Sequence, residues 1–212
     1  RRQRQMCIRD SQNTALTYLD CQMNQLNSLY LNNNIDLDNL LCNGNLLTSL
    51  DVGNNTALTY LQCGVMGTGN LLTSLDVSNN TALTELYCNY NLLTSLDVSN
   101  NTALNVLFCN SNQLTYLNVK NGNNSNFIFF DASRNFLNCI SVDDATWATA
   151  NWNGNRVDAH TIFLDDCASY VALDADFSAD ATLVCEGTTI TFTDASTCLL
   201  YTSDAADDMQ CV

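Results

Sequence analysis

The amino-acid sequence predicts a β-rich solenoid, a stack of short parallel strands with little helix. Three observations predict it: a pattern recurs along residues 12–142, cysteines recur at intervals of 21 residues within it, and the chain of 212 residues contains no proline. A stack of similar coils generates such repetition, whereas a single globular core does not. Proline lacks the N–H group that interior strands need, so its absence is consistent with the same architecture.

Six copies of the repeat are expected in 12–142, and the intervals between cysteines define most of them. Cys21, Cys42 and Cys63 are 21 residues apart, as are Cys88 and Cys109. The interval between Cys63 and Cys88 is 25 because residues 65–68 lengthen one turn. A degenerate sixth copy follows at 129–137 and closes the array.

Each copy divides into two halves that predict one strand each. The first half reads Leu-x-x-Leu-x-Cys-x-x-Asn and the second reads Leu-x-x-Leu-x-Val-x-x-Asn. Leu86 and Cys88, like Leu96 and Val98, are two residues apart, so their side chains point to one face of a strand. Stacked copies therefore predict two ribbons of parallel strands around a leucine core.

The recurring asparagines are predicted to be structural rather than ligand-binding. A polar side chain inside a solenoid costs free energy unless it is hydrogen-bonded. An amide can donate to the backbone carbonyl of one coil and accept from the N–H of the next. The first row contains Asn24, Asn45, Asn70, Asn91, Asn112 and Asn135, and the second contains Asn13, Asn34, Asn55, Asn80 and Asn101.

The combined unit, Leu-x-x-Leu-x-Cys-x-x-Asn-x-Leu-x-x-Leu-Asp-Val, resembles the leucine-rich-repeat family, specifically its nested 21-residue bacterial (Bacteroidetes-type) subtype. The resemblance extends over all six copies. It implies a leucine-rich-repeat solenoid that acts as a protein- or glycan-binding scaffold in a secreted or cell-surface bacterial protein.

The cysteines of the repeat are predicted to be small buried apolar residues. Strands of a parallel ribbon stack about 4.8 Å apart, whereas the Cβ atoms of a disulfide are about 3.5–4.5 Å apart. A straight row of thiols also lacks the tetrahedral convergence that zinc requires. We therefore expect no metal and no disulfide in this row, which comprises Cys21, Cys42, Cys63, Cys88 and Cys109.

Residues 143–170 are expected to form a C-terminal cap. The segment 143–152 contains two tryptophans and predicts a short helix capped by an acidic residue, followed by a return strand near 162–164. An exposed solenoid end must be covered. The stretch resembles the C-terminal cap of secreted Bacteroidetes-type repeat proteins, and on that basis a disulfide between Cys139 and Cys167 is expected.

Outward positions vary on the first ribbon and are nearly uniform on the second, which favours the first ribbon as the binding face. Exposed aromatic side chains on a rigid sheet form a contact surface. One predicted outward row is Asp20, Leu41, Gln62, Tyr87, Phe108 and Phe130, and the adjacent row is Tyr18, Asn39, Tyr60, Glu85 and Val106. The predicted ligand-binding residues are Tyr18, Tyr60, Glu85, Tyr87, Phe108 and Phe130. Alternatively, Phe108 and Phe130 are covered by the cap or by a following domain.

Asp51, Asp76 and Asp97 form an outward row on the second ribbon. Stacked like charges repel, so calcium binding is one interpretation. A solvated acidic face is favoured over it, because the flanking serines offer few further oxygen ligands.

Residues 171–197 have a different pattern. Strand-like alternation around Glu186 and Gly187 resembles the start of a PKD-type immunoglobulin-like domain, truncated after about two strands.

The two ends are expected to be foreign to the protein. Back-translation of residues 1–10 gives DNA that resembles a transposase adapter used in sequencing libraries, and its reverse complement encodes residues 198–207. Segments 1–11 and 198–212 are therefore expected to be adapter-derived, which makes 12–197 a fragment. The alternative for the first segment is a basic arm that binds nucleic acid or membrane.

The net charge is −15, and removing both end segments takes away four arginines and four aspartates, so it stays −15. Lys120, Arg134 and Arg156 are then the remaining cations. So acidic a chain repels phosphate backbones, which excludes nucleic acid as a partner. No apolar run approaches the roughly 20 residues needed to span a bilayer.

Catalysis is not predicted. The single histidine, His160, lies in the cap segment, and no nucleophile, phosphate-loop or metal motif occurs, so no cofactor is expected. Two alternatives to a binding scaffold stay open. The array is an accessory binding region of a larger secreted hydrolase whose catalytic domain is missing, or it is a structural adhesin spacer.

Overall fold

In the computed structural model, residues 8–9, 13–152, 156–169, 177–179 and 192–194 are described. The chain divides into two compact units, Arg1–Ala168 and Ser169–Val212. The strands, in chain order, are β1 (Ile8–Arg9), β2 (Tyr18–Asp20), β3 (Leu29–Tyr30), β4 (Asn39–Leu41), β5 (Tyr60–Gly64), β6 (Glu85–Cys88), β7 (Ser95–Asp97), β8 (Val106–Phe108), β9 (Tyr116–Asn118), β10 (Phe129–Asp131), β11 (Cys139–Ser141), β12 (Ile162–Leu164), β13 (Phe177–Ala179) and β14 (Phe192–Asp194). The helix α1 spans Ala145–Asn151, and 3-10 turns occur at Asn124–Asn126 and Cys167–Ser169.

The first sheet contains one strand from each copy. Its order is β2-β4-β5-β6-β8-β10, and every neighbouring pair is parallel. The central residues Leu40, Leu61, Leu86 and Leu107 are in register and have no exposed surface. This confirms the first predicted ribbon of the solenoid.

The second sheet has the order β7-β9-β11-β12 and is also parallel. In the preceding copies, Leu50, Val52, Leu75 and Val77 are buried like their equivalents in β7, although 50–52 and 75–77 carry no strand assignment. The second ribbon is therefore present, with regular strand pairing confined to its C-terminal half and to β3, which pairs in parallel with β1.

The first asparagine row has the predicted ladder geometry. The Asn45 side-chain amide donates to the carbonyls of Cys21 and Cys42, each at 2.9 Å, and its Oδ1 accepts from Leu26 N at 3.0 Å. Both halves of the prediction are confirmed here. The same pattern, in which the amide donates to two carbonyls and Oδ1 accepts from a backbone N–H, recurs at Asn70, Asn91, Asn112 and Asn135.

The second asparagine row bonds differently, and the acceptor half of the prediction is wrong there. The Asn55 amide donates to the carbonyls of Leu31 and Asn34 at 3.1 and 2.7 Å, but its Oδ1 has no hydrogen-bond partner. The same holds for Asn80 and Asn101. In this turn the nearby N–H of Leu58 bonds to the backbone carbonyl of Asn55 itself, so the turn closes within one coil.

A left-handed residue precedes every asparagine of the first ladder except Asn70, which follows Gly69. Met23, Tyr90, Ser111 and Arg134 have φ between 53° and 57°, and Gly44 has φ 67°. This conformation costs a side-chain-bearing residue about 1–2 kcal/mol. It allows the N–H of Ser111 to donate to Ser133 O, and that of Tyr90 to Asn110 O, which continues the backbone ladder past the strand ends.

The cysteine row lies in the core, as predicted. Cys21, Cys42, Cys63, Cys88 and Cys109 are all buried. Burial raises the pKa of Cys63 to about 12 and raises the pKa of Cys42, Cys88 and Cys109 as well. The four thiols are therefore protonated and unreactive in the folded chain at neutral pH.

The C-terminal cap is held covalently and by hydrogen bonds. Cys139 and Cys167 form the expected disulfide, with Cα atoms 5.9 Å apart. Asp144 caps α1 by accepting from Trp147 N at 2.8 Å, and β12 returns to pair with β11. Asp158 accepts from the N–H groups of Arg134 and Asn135, each at 2.8 Å, so a carboxylate ends the first asparagine ladder.

The second unit is described only at β13 and β14, which pair antiparallel. Two strands are what the sequence predicts for 171–197, and their assignment to a PKD-type domain stays a prediction. Glu186, Gly187 and Cys185 lie outside the described residues, as do 1–7, 10–11 and 198–212 of the expected adapter segments. Within the described part of the chain no helix is long and apolar enough to cross a membrane.

Candidate binding surface

Four aromatic rings form a continuous strip on the outward face of the first sheet. Tyr60 and Tyr87 have ring centroids 5.5 Å apart, Tyr87 and Phe108 are 5.3 Å apart, and Phe108 and Phe129 are 6.2 Å apart. Consecutive parallel strands supply these rings, so the rigid backbone ladder of β5, β6, β8 and β10 sets their spacing. We call Tyr60, Tyr87, Phe108 and Phe129 the aromatic strip.

Both tyrosine hydroxyls of the strip are hydrogen-bonded to neighbouring side chains. Tyr60 Oη donates to Gln62 Oε1 at 2.6 Å, and Gln62 Nε2 donates to Asn43 Oδ1 at 2.8 Å. Tyr87 Oη donates to Glu85 Oε2 at 2.9 Å. Partial burial, followed by the nearby Glu85 carboxylate, raises the pKa of both tyrosines, so both hydroxyls are protonated at neutral pH. These bonds fix the ring orientations.

The structure replaces one predicted site residue. Phe130 is 2% exposed and pairs with the core residue Leu107, so its expected place in the outward row is wrong. Phe129, 55% exposed and in register with Val106, is the outward ring instead. The cause is the longer loop before β10, which contains the 3-10 turn Asn124–Asn126 and shifts the register of the sixth copy.

Phe130 belongs to an aromatic cluster beneath the cap. Its ring stacks on Trp152 at 4.1 Å, and Phe127, Trp147 and Phe163 surround that tryptophan at 5.5–5.8 Å. The alternative that the cap covers the outermost phenylalanine is therefore correct for Phe130. It does not hold for Phe108, which keeps part of its surface exposed and contacts Tyr87 and Phe129 in the strip.

Tyr18 and Glu85 occupy the predicted outward row. Tyr18 is 55% exposed, but Asn39 lies between it and Tyr60 in the register, which separates it from the strip. Glu85 lies inside the strip region, where it accepts the Tyr87 hydroxyl. The structure therefore brings together Tyr60, Glu85, Tyr87 and Phe108 of the predicted set, adds Phe129, and leaves Tyr18 apart.

The aspartate row of the second ribbon has a role in its own turns. Asp51, Asp76 and Asp97 each accept from the N–H two residues later, at 3.0, 2.9 and 2.8 Å. Hydrogen bonds from the Ser78 side chain and backbone lower the pKa of Asp76. Asp97 also accepts from Asn118 Nδ2 at 3.2 Å. No group of three or more acidic, cysteine or histidine side chains is placed to hold a metal ion among the described residues.

Comparisons with known proteins bear on the fold. No family model matches the chain, and no curated protein matches it. Among solved structures, the functional domain of InlJ from Listeria monocytogenes, whose description includes a cysteine ladder, is 36% identical, covers 64% of this chain and 36% of its own, and has a TM-score of 0.47. A leucine-rich-repeat protein from Leptospira interrogans is 22% identical over 61% of this chain and 40% of its own, with a TM-score of 0.50.

This chain therefore spans less than half the length of either solved structure. The likeness to the Leptospira protein concerns the fold alone. Together with the parallel ladders described above, it gives the described residues of the unit Arg1–Ala168 a leucine-rich-repeat solenoid fold with a disulfide in its C-terminal region.

Proposed function

We propose that this chain is a binding scaffold of a secreted or cell-surface bacterial protein and that it binds a protein or glycan through the aromatic strip. The observation that carries the proposal is the continuous contact of four partly exposed rings on the outward face of a rigid sheet. Tyrosine and phenylalanine are enriched at the centres of protein interfaces, where they bury large areas at low conformational cost.

Two features favour this face over the rest of the surface. The strands that carry Tyr60, Tyr87 and Phe108 are paired on both sides. Binding there requires no ordering of the strands and carries little entropic cost. The equivalent face of the second ribbon carries serine and aspartate in three consecutive copies, which separate Tyr30 from Tyr116, and its aspartates are used in turns. We expect a scaffold of this kind to perform no chemistry. The single histidine, His160, is exposed on a turn of the cap.

The test is a screen of the full chain on glycan and protein arrays, comparing three forms. We expect a specific ligand for the parent chain, loss of its signal in the Tyr87→Ala/Phe108→Ala double variant, and retention in Tyr30→Ala/Tyr116→Ala. The control pair removes two tyrosines, 49% and 44% exposed, from the second ribbon, and both are more exposed than Tyr87 and Phe108. A ligand that binds all three forms equally places the site elsewhere, and no ligand at all favours a structural spacer.

A further inference from the structure

We infer that the occupant of the aromatic strip is an α-helix of a partner protein, with an apolar stripe flanked by lysine or arginine residues. This inference rests on the proposed function and narrows it to one class of ligand. Four observations carry it: the orientation of the rings, the hydrogen bonds that the tyrosine hydroxyls already make, the spacing of the rings, and the charge around them.

Ring orientation disfavours ligands that stack on an aromatic face. The Tyr87 and Phe108 rings are stacked with an interplanar angle of 10°, and Tyr60 and Phe129 contact their other sides. The faces of the two central rings are therefore directed at neighbouring rings, and their edges are directed outward. Cations and nucleic-acid bases bind over ring faces, whereas aliphatic side chains pack well against ring edges.

Hydrogen-bonding capacity disfavours ligands rich in polar groups. The hydroxyl protons of Tyr60 and Tyr87 are already donated to Gln62 and Glu85. A sugar or an extended peptide would bring many donors and acceptors to a surface that satisfies few of them, which costs free energy. A helix satisfies its own backbone internally and presents only side chains.

Ring spacing favours a helix over an extended chain. The centroids along the strip are 5.3–6.2 Å apart. Successive apolar residues on one helix face rise by about 5.4 Å per turn, or about 6 Å for residues four apart. Side chains on one face of an extended strand are about 6.6–6.8 Å apart. The mismatch between such a strand and the rings would therefore grow by about 1 Å at each successive ring.

Charge determines what flanks the apolar stripe. The outward positions of the six strands include Asp20, Glu85 and Asp131, and none of those positions carries lysine or arginine. The chain as a whole carries −15. A partner with cations beside its apolar residues gains electrostatic steering and avoids like-charge repulsion.

The test uses a phage-display library of random 20-residue peptides, selected in parallel on the full chain and on its Tyr87→Ala/Phe108→Ala variant. We expect sequences enriched only on the parent chain to repeat apolar residues every three or four positions and to carry flanking Lys or Arg. A synthetic peptide of the consensus should turn helical on binding by circular dichroism. It should lose about tenfold or more in affinity for the double variant, consistent with loss of two interface anchors.

Two controls keep the outcomes separate. Tyr30→Ala/Tyr116→Ala should bind the same peptide within about twofold, as expected for a substitution outside the interface, and matched melting curves exclude unfolding of either variant. Enrichment of extended or acidic sequences that depend on Tyr87 and Phe108 overturns the helix inference and leaves the proposed function standing. Enrichment that is equal on the parent and the Tyr87→Ala/Phe108→Ala variant overturns both.

Discussion

The two halves of each copy share one coil but differ in how their buried asparagine side chains are hydrogen-bonded. In the first half, each ladder asparagine after Asn24 donates twice and accepts at least once, and a left-handed residue precedes most of them. In the second half, the side-chain amides of Asn55, Asn80 and Asn101 donate, but their Oδ1 atoms accept no hydrogen bond. More hydrogen bonds therefore hold the backbone of the first half in place than that of the second. The aromatic strip lies on this more constrained first half.

The largest expected effect concerns the cysteines, which the second half replaces with valine. The folded pKa of Cys42, Cys63, Cys88 and Cys109 lies above the unfolded value near 8.5, and that of Cys63 is about 12. These four thiols therefore contribute their full stability below about pH 8.5, and the contribution is lost as the pH rises toward the folded pKa. Each thiol contributes a slope of about 1.4 kcal/mol per pH unit in that window. Urea unfolding from pH 8 to 11 should show this steep loss.

The variant Cys63→Ala should reduce that slope by about 1.4 kcal/mol per pH unit, because one buried titrating group is removed. The matched control is Val77→Ala in the second half, which lowers stability at every pH without changing the slope. An unchanged slope in Cys63→Ala would contradict the assignment of the alkaline loss to buried thiols.

The next effect compares the two asparagine rows directly. Asn91→Ala leaves Asn70 N and Leu72 N without their side-chain acceptor and should cost about 1–3 kcal/mol. The carbonyls of Cys63 and Cys88 each lose one donor but keep the amides of Asn70 and Asn112. Asn101→Ala removes donors only and should cost about 1 kcal/mol. Chemical denaturation of both variants measures the difference, and equal costs would show that the acceptor bonds contribute nothing.

A smaller, stabilising effect is expected at the left-handed positions that carry a side chain, all of which lie in the first half of the repeat among the described residues. Ser111→Gly relieves a conformation that costs about 1–2 kcal/mol but adds about 0.5–1 kcal/mol of unfolded-state entropy. The net gain should be several tenths of a kcal/mol by differential scanning calorimetry. Ser99→Gly in the second half, where φ is not positive, should destabilise instead.

The smallest effect is expected on the second ribbon, where the aspartates already accept hydrogen bonds from the backbone. Addition of millimolar calcium should leave the melting temperature unchanged, and removal with a chelator should do the same. A rise in melting temperature with calcium that disappears in Asp76→Asn/Asp97→Asn would restore the calcium interpretation of this row.

Much of the fold could be predicted because each element depends on local spacing. The period-two Leu-x-Cys and Leu-x-Val pairs determine the inward faces, and the interval of 21 residues determines which strands pair. The Cys139–Cys167 disulfide followed from resemblance to known caps. The left-handed residues were not predicted, since Met23, Tyr90, Ser111 and Arg134 share no side-chain property that marks the position.

The candidate site was predicted less completely because one register shift moves a side chain to the opposite face. The pair Phe127 and Phe130, spaced like Leu104 and Leu107, was the signal that would have placed Phe129 outward. Ring contacts along the strip depend on diagonal neighbours and side-chain orientation, which the repeat alone does not specify. That the rings of Tyr60, Tyr87, Phe108 and Phe129 contact one another could therefore be seen only in the three-dimensional structure.

The most direct measurement of the central claim, that ligands bind to the first half of the repeat, is hydroxyl-radical footprinting of the full chain with and without an array ligand. Oxidation of Tyr87, Phe108 and Phe129 should fall in the complex, while Tyr30 and Tyr116 on the second ribbon should react at the same rate in both samples. Protection of Tyr30 and Tyr116 with unchanged oxidation of the aromatic strip would contradict the account.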